Sequence, residues 1–230
     1  MCITQRSSLR KTEFHSRFHP LLMFFFCLAG ILLNITFTRL CFYTGFPLFL
    51  DTILTITITL IGGLFWGMLC GALTNVIYHS IWGHGWEAYL FAICNIATAY
   101  ITWLFIRFFP RELLAKKEYV PQKPSSFLSK TSRLSTLMDR VIILILLSFA
   151  LCLAMSILGG LIATFILYLN SYYYETDGVT GVFTATMFTQ NAPIFVKEIV
   201  SRIPVNIIDR LISSFAGYGI AVCVRHLKSQ

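Results

Sequence analysis

The stretch DTILTITITLIGGLFWGMLCGALTNVIYHS, from Asp51 to Ser80, decides how the chain is read. It is apolar throughout apart from its hydroxyls, Asp51, Asn75 and His79. As one straight helix its thirty residues would run about 45 Å at about 1.5 Å each, well past the roughly 30 Å hydrocarbon core of a bilayer. Gly62-Gly63 sits near the middle, where a helix can break. The stretch is therefore either one overlong span or a hairpin of two short helices, Asp51 to Ile61 and Leu64 to Ser80. In the hairpin the first half is thin, tilted or partly re-entrant, which is tolerated only where it is buried in protein.

Charge chooses between them, because Lys and Arg near the ends of membrane helices mark the cytoplasmic side. Of the 18 Lys and Arg, four precede residue 20 (Arg6, Arg10, Lys11, Arg17) and eight lie in 107–140 (Arg107, Arg111, Lys116, Lys117, Lys123, Lys130, Arg133, Arg140). Arg225 and Lys228 follow the last apolar run. One span in 51–80 would put the eight-charge segment and the N-terminal charges on opposite sides; two spans put both inside. The hairpin reading predicts an all-α integral membrane protein, a six-helix transmembrane bundle with N- and C-termini cytoplasmic, its helices at about 20–42, 51–61, 64–80, 87–109, 141–169 and 203–225.

Composition agrees. Hydrophobic residues make up 57% of the 230 and charged ones only 12%, where a soluble domain carries about a quarter charged. The net charge of +8 gathers between apolar runs and not on one water-exposed face, so it speaks for topology and not for nucleic acid. The seven cysteines are scattered with no C-x-x-C, as small packing residues are. The basic start followed by Leu21 to Leu33 has the look of a signal peptide but lacks an A-x-A-like cleavage site, so it is read as a retained first helix. Residues 110–140, rich in Lys, Ser and Pro, read as a cytoplasmic linker, and 170–202 as a long outer loop opening on Tyr172-Tyr173-Tyr174. Within that loop Ile194, Phe195, Ile199 and Ile203 suggest a short surface helix, with Lys197, Glu198 and Arg202 off its apolar face.

Polar groups within membrane segments are costly and call for a reason. Here they lie toward the predicted outer ends. Asp51 opens the second helix with Thr55 and Thr59 on its face, and Asn75 and His79 close the third. Asn95 and Thr98 fall in the outer half of the fourth. Asn206, Arg210 and Ser213 share a face of the last, with Asp209 beside them and Pro204 near the expected start. Together they suggest an outward-opening pocket in which Asp51, Asn75, Trp86, Asn95, Asn206, Asp209 and Arg210 bind a substrate. Trp82, Trp86 and Tyr89 could stack on a ligand ring or form an interfacial belt. Capping by Asp51, and pairing of Asp209 and Arg210 with headgroups or Arg39, is the plainer account of the same charges.

No H-E-x-x-H, G-x-S-x-G, S-x-x-K or Walker lysine occurs, so no catalytic residue, cofactor or metal is assigned; a cluster of His79, His84 and Glu87 is the residual enzymatic reading. Two small-residue faces stand out: Gly63, Gly67 and Gly71 on the third helix, and Ser148, Cys152, Ser156, Gly160 and Thr164 on the fifth. Such faces let helices approach closely, within the bundle or against a partner subunit.

The run Phe46-Pro47-Leu48-Phe49-Leu50-Asp51-Thr52-Ile53-Leu54-Thr55, then Gly62, Trp66-Gly67, Gly71-Ala72-Leu73-Thr74-Asn75, and Pro204-Val205-Asn206-Ile207-Ile208-Asp209-Arg210, resembles the membrane-embedded substrate-binding (S) components of energy-coupling-factor (ECF) transporters. The resemblance implies a protein of the bacterial cytoplasmic membrane that captures a vitamin or similar small-molecule nutrient. It implies partners too: a transmembrane coupling subunit and two cytoplasmic ATPases. Pocket residues would fall in Phe46 to Asp51, Asn75 to Glu87, Asn95, and Asn206 to Arg210. Members of that family commonly dock through A-x-x-x-A on the first helix; here Leu33 stands four residues after Ala29, which moves the expected docking face to Gly63, Gly67 and Gly71. A membrane sensor or scaffold acting through a partner is the alternative.

Overall fold

The computed structural model describes residues 18–82, 85–114, 126–169 and 193–229, and among these there are helices and no strands. Helix α1 is Pro20–Thr44, α2 Ile53–Gly62 and α3 Leu64–Trp82; a 3-10 turn, Trp86–Phe91, leads into α4 Ala92–Phe108. The short α5, Pro110–Leu114, is followed by two long helices, α6 Ser126–Leu169 and α7 Ile194–Ser229.

The hairpin expected at Gly62-Gly63 is where α2 ends and α3 begins. Gly63 takes φ 87°, a backbone that L side chains rarely adopt, so the turn needs glycine. Among the described residues five helices are long and apolar enough to cross a membrane, as in a multi-pass membrane protein; α2, at ten residues, is shorter than a span.

Three expected boundaries differ. From Ser126 to Ile157 the chain has no Gly or Pro, so α6 continues N-terminal to the predicted start at 141 through half of the expected linker. The expected linker also holds α5. Helix α7 begins at Ile194, merging the surface helix with the last one and placing Pro204 in its interior and not at its start. Pro204 removes one i to i−4 hydrogen bond, a loss that membrane helices tolerate when neighbours supply compensation. Cys152 of α6 stands beside this point, its thiol donating to the Ile203 carbonyl at 3.8 Å.

Hydrophobicity is distributed as lipid demands. Leu21, Phe25, Leu32 and Leu40 of α1 and Ile142, Phe149, Ile157 and Phe165 of α6 are exposed, whereas Asn34, Thr52, Thr55, Thr59, Thr98, Asn206, Asp209 and Arg210 are buried. At the centre lies α2. Every residue from Ile53 to Ile61 is buried, and the helix packs against α1, α3, α4 and α7. Its Thr-Ile alternation has a strand's period, yet in a dry bundle only a helix satisfies its own backbone. The hydroxyls fit that setting by folding back: Thr57 and Thr59 donate to the Ile53 and Thr55 carbonyls at 3.0 and 2.7 Å.

Contacts fix which helix ends lie together. Gly62 abuts Met23 near the start of α1, Lys228 lies over the Phe18 ring at 3.9 Å, and Arg225 donates to the carbonyls of Leu60 and Leu113. At the other end Arg39 packs over the rings of Phe42, Tyr43 and Trp82, and Asp209 meets Phe49 and Leu50. The α2–α3 hairpin therefore leaves and returns to the end where α1 finishes.

Candidate functional site

Helix α7 passes the start of α2 with its Asp209 and Arg210 turned inward. Asp209, fully buried, accepts from the backbone N–H groups of Phe49 and Leu50 through Oδ1, at 3.2 and 2.8 Å. Leu50 has φ 49°, unusual for a side-chain-bearing residue, and this bend directs consecutive N–H groups at one oxygen. Oδ2 of Asp209 pairs with Arg210 Nη2 at 3.0 Å. The same Nη2 lies 3.6 Å from Asp51 Oδ1, and Nη1 donates to Thr52 Oγ1. Three charged side chains, two of them consecutive in α7 and the third about 160 positions earlier, thus form one buried cluster. Of the three, Asp51 has the most exposed side chain, 17% against 5% for Arg210 and none for Asp209.

Polar contacts continue on either side. Asn206, one turn before Arg210, donates to Ser156 Oγ at 3.0 Å and joins α7 to α6. One turn further back Arg202 pairs with Glu198 at 3.1 Å. Below the cluster Asn34 of α1 ties three helices: its Oδ1 accepts from the Leu54 N–H at 3.0 Å, while Nδ2 donates to Thr55 and Thr74 at 3.3 and 3.4 Å. Asn34 and the Glu198–Arg202 pair were not singled out as site residues by sequence. For Arg202 the helical step 198, 202, 206, 210 was available as a signal, had the helix been extended through Pro204.

Of the predicted site residues, Asp51, Asp209 and Arg210 come together, with Asn206 a turn away. Asn95 is buried on α4, its backbone carbonyl against Gly71, and its Nδ2 has no hydrogen-bond partner among the described residues. Asn75 is half-buried with its Oδ1 likewise unpartnered. Trp86 stands 61% exposed on the 3-10 turn, apart from the cluster's contacts. Trp82 packs under Arg39 and against Tyr78, and the Tyr89 hydroxyl meets Ser80 Oγ at 3.2 Å. Arg39, a predicted alternative partner for Asp209, is taken by aromatic rings instead. Of the cluster suggested as an enzymatic centre, His79 packs edge-on to Tyr78 and Tyr89, and His84 lies outside the described residues. Among the described residues no three His, Cys, Asp or Glu gather as a metal site would need.

The glycine face of α3 faces inward. A Cβ on Gly67 would stand 1.9 Å from Thr59 Oγ1, and one on Gly71 would stand 2.9 Å from the Asn95 carbonyl oxygen. Gly67 and Gly71 thus hold α3 against α2 and α4 of the same chain. The α6 face is likewise met by α7, through Cys152, Ser156 and Gly160.

Comparison with protein-family models, with curated proteins and with solved structures finds no match to this chain.

Proposed function

We propose that the protein is a six-helix multi-pass subunit of a bacterial cytoplasmic membrane, with both termini cytoplasmic, that binds a vitamin-like nutrient from outside. In this reading it is an S component of an ECF transporter and hands its cargo inward with a coupling subunit and two ATPases. The observation that carries the reading is the Asp51–Arg210–Asp209 cluster beneath the loop Phe46 to Leu50. A membrane protein keeps buried charges at a cost, and three of them, from two segments far apart in the chain, meeting where α2 begins is the pattern of a recognition site.

Six traverses follow from counting the short α2 as one, which lets the five long helices bring both described ends to the same end of the bundle. That end carries Arg225, Lys228, Arg107 and Arg111 and is assigned to the cytoplasm. Single cysteines at Phe46 and Gly85 should react with an impermeant maleimide from outside, and cysteines at Arg111 and Leu227 only after permeabilisation, each in a background without native cysteines. With Gly67 and Gly71 engaged inside the chain, docking of the coupling subunit is assigned to a lipid-facing surface.

The binding test is mass spectrometry of small molecules released by denaturing protein purified in mild detergent, with an Asp51 and Arg210 double variant as control. A stoichiometric compound lost in the variant supports the reading. An empty protein whose thermal stability also ignores a vitamin panel moves the assignment to a sensor or scaffold that works through a partner.

A further inference from the structure

The charges of the site do not balance. Arg202 is engaged by Glu198 at 3.1 Å. Arg210 is engaged by Asp209 at 3.0 Å and by the Thr52 hydroxyl, and Asp209 has no exposed surface left. Each guanidinium neutralises one carboxylate. The remaining carboxylate is Asp51, whose ion-pair partner among the described residues is the same Nη2 of Arg210 at the longer distance of 3.6 Å. Its Oδ1 is shielded from solvent and accepts no hydrogen bond. Arg210, 95% buried, also leaves its Nε without an acceptor within this cluster, so its donors are not all matched to the two acids.

Taken at their formal charges, the five groups Asp51, Glu198, Arg202, Asp209 and Arg210 sum to one negative charge in a region of low polarisability. An uncompensated charge there is costly, and a ligand of opposite charge removes that cost where an anion would double it. The presence of an arginine would by itself suggest an anionic ligand, but the Arg210 guanidinium already faces two carboxylates, Asp209 at 3.0 Å and Asp51 at 3.6 Å, through Nη2.

We propose that the ligand of this site is a small organic cation, and that Asp51 receives its positive group through a charge-assisted hydrogen bond or ion pair. The inference rests on the binding-subunit reading and adds the charge class of the substrate. Asp51 is suited to the part because its side chain is the most exposed in the cluster, next to the loop residues Leu48 to Leu50, which are themselves half-buried.

The test uses the full chain in detergent and three probes of matched shape: 4-fluorobenzylammonium, 4-fluorobenzyl alcohol and 4-fluorobenzoate, each followed by fluorine NMR. The ammonium is expected to bind most tightly and to lose about tenfold or more in affinity in Asp51→Asn, with the alcohol unchanged between the two proteins. The compound released from the purified protein should be cationic at neutral pH. Preferred binding of the benzoate, weakened by Arg210→Gln, or release of an anionic or neutral compound, overturns the cation assignment while the binding-subunit reading stands. Protein that is empty and binds none of the three probes overturns both. Unchanged ammonium affinity in Asp51→Asn removes Asp51 from the role.

Discussion

Asp209 holds Leu50 by a 2.8 Å hydrogen bond from the backbone N–H to its carboxylate, closing a loop of 159 residues at the end of the bundle where α2 begins. Because the same carboxylate pairs with Arg210, the shape of the loop and the charge state of the cluster depend on one side chain.

Replacing Asp209 should be more damaging than replacing Asp51. Asp209→Asn preserves the acceptor for the Phe49 and Leu50 N–H groups but leaves Arg210 buried without its 3.0 Å partner. Removing one member of a buried pair costs about 3–5 kcal/mol. Asp51 is 3.6 Å from an Arg210 already paired with Asp209, and Asp51→Asn gives up that longer contact while removing the unmatched charge, so it should change stability by about 1 kcal/mol or less in either direction. Thermal unfolding in detergent, followed by circular dichroism, should rank the variants in that order; equal losses would mean that the Asp209–Arg210 pair contributes no special stability.

The glycines of the chain should separate sharply. Gly67→Ala drives a methyl into Thr59, with its Oγ1 at 1.9 Å and its Cα at 3.2 Å, so α2 and α3 must move apart. Overpacking of this kind costs about 1–3 kcal/mol. A Cβ on Gly219 meets nothing within 4 Å, so Gly219→Ala should be neutral or stabilising by up to about 1 kcal/mol, since alanine has the higher helix propensity. A Gly67→Ala protein as stable as Gly219→Ala would contradict the close approach of the two helices.

Asn34 should behave as a keystone. Asn34→Leu removes an acceptor from the Leu54 N–H and a donor from Thr55 and Thr74, all of them buried. Leaving such groups unsatisfied costs about 1–3 kcal/mol each, less where a threonine hydroxyl can turn to another acceptor. Thermal unfolding should register the loss, and Asn34→Asp should not restore it, because a carboxylate buried there has no cation beside it among these contacts. Full stability of Asn34→Leu would show that the three contacts carry no weight.

The same residue marks where sequence reading stopped. Asp51, Asp209 and Arg210 were legible because a charge inside an apolar run is conspicuous and because i, i+3 and i+4 spacing places Asn206, Arg210 and Ser213 on one face. Gly62-Gly63 was legible because glycine alone fits the φ of 87° at the turn. Asn34 sits in an otherwise ordinary first helix, and its partners lie 20 to 40 residues away, a pairing that only the packing of α1, α2 and α3 creates. Pro204 misled for a related reason. In water it marks a helix start, but within a bundle the neighbouring helices hold the chain helical on both sides of it, so α7 extends ten residues further back. The glycine face was assigned to docking with packing inside the bundle as the other possibility, and Gly67 and Gly71 pack against α2 and α4 of the same chain; α2 is too short and too rich in threonine to announce itself as the core.

Arg225 was counted by sequence only as a topogenic charge, yet it sits within α7 and binds two helix termini at once. It donates to the carbonyl of Leu60 in the last turn of α2 and, at 3.0 Å, to that of Leu113 near the end of α5. Final-turn carbonyls lack intrahelical donors and carry the negative end of the helix dipole, so one guanidinium satisfies both groups and complements both dipoles. Arg225→Leu should lower stability by about 1–3 kcal/mol, and Arg225→Lys should recover only part of it, because an ammonium on a single stem lacks the guanidinium's spread of donors. Hydrogen exchange gives the sharper reading. Amides of α5 and of the last turn of α2 should exchange faster in Arg225→Leu, while those of α6 stay protected. Uniform acceleration across the bundle would mean that Arg225 acts through global stability and not as a clamp at that end.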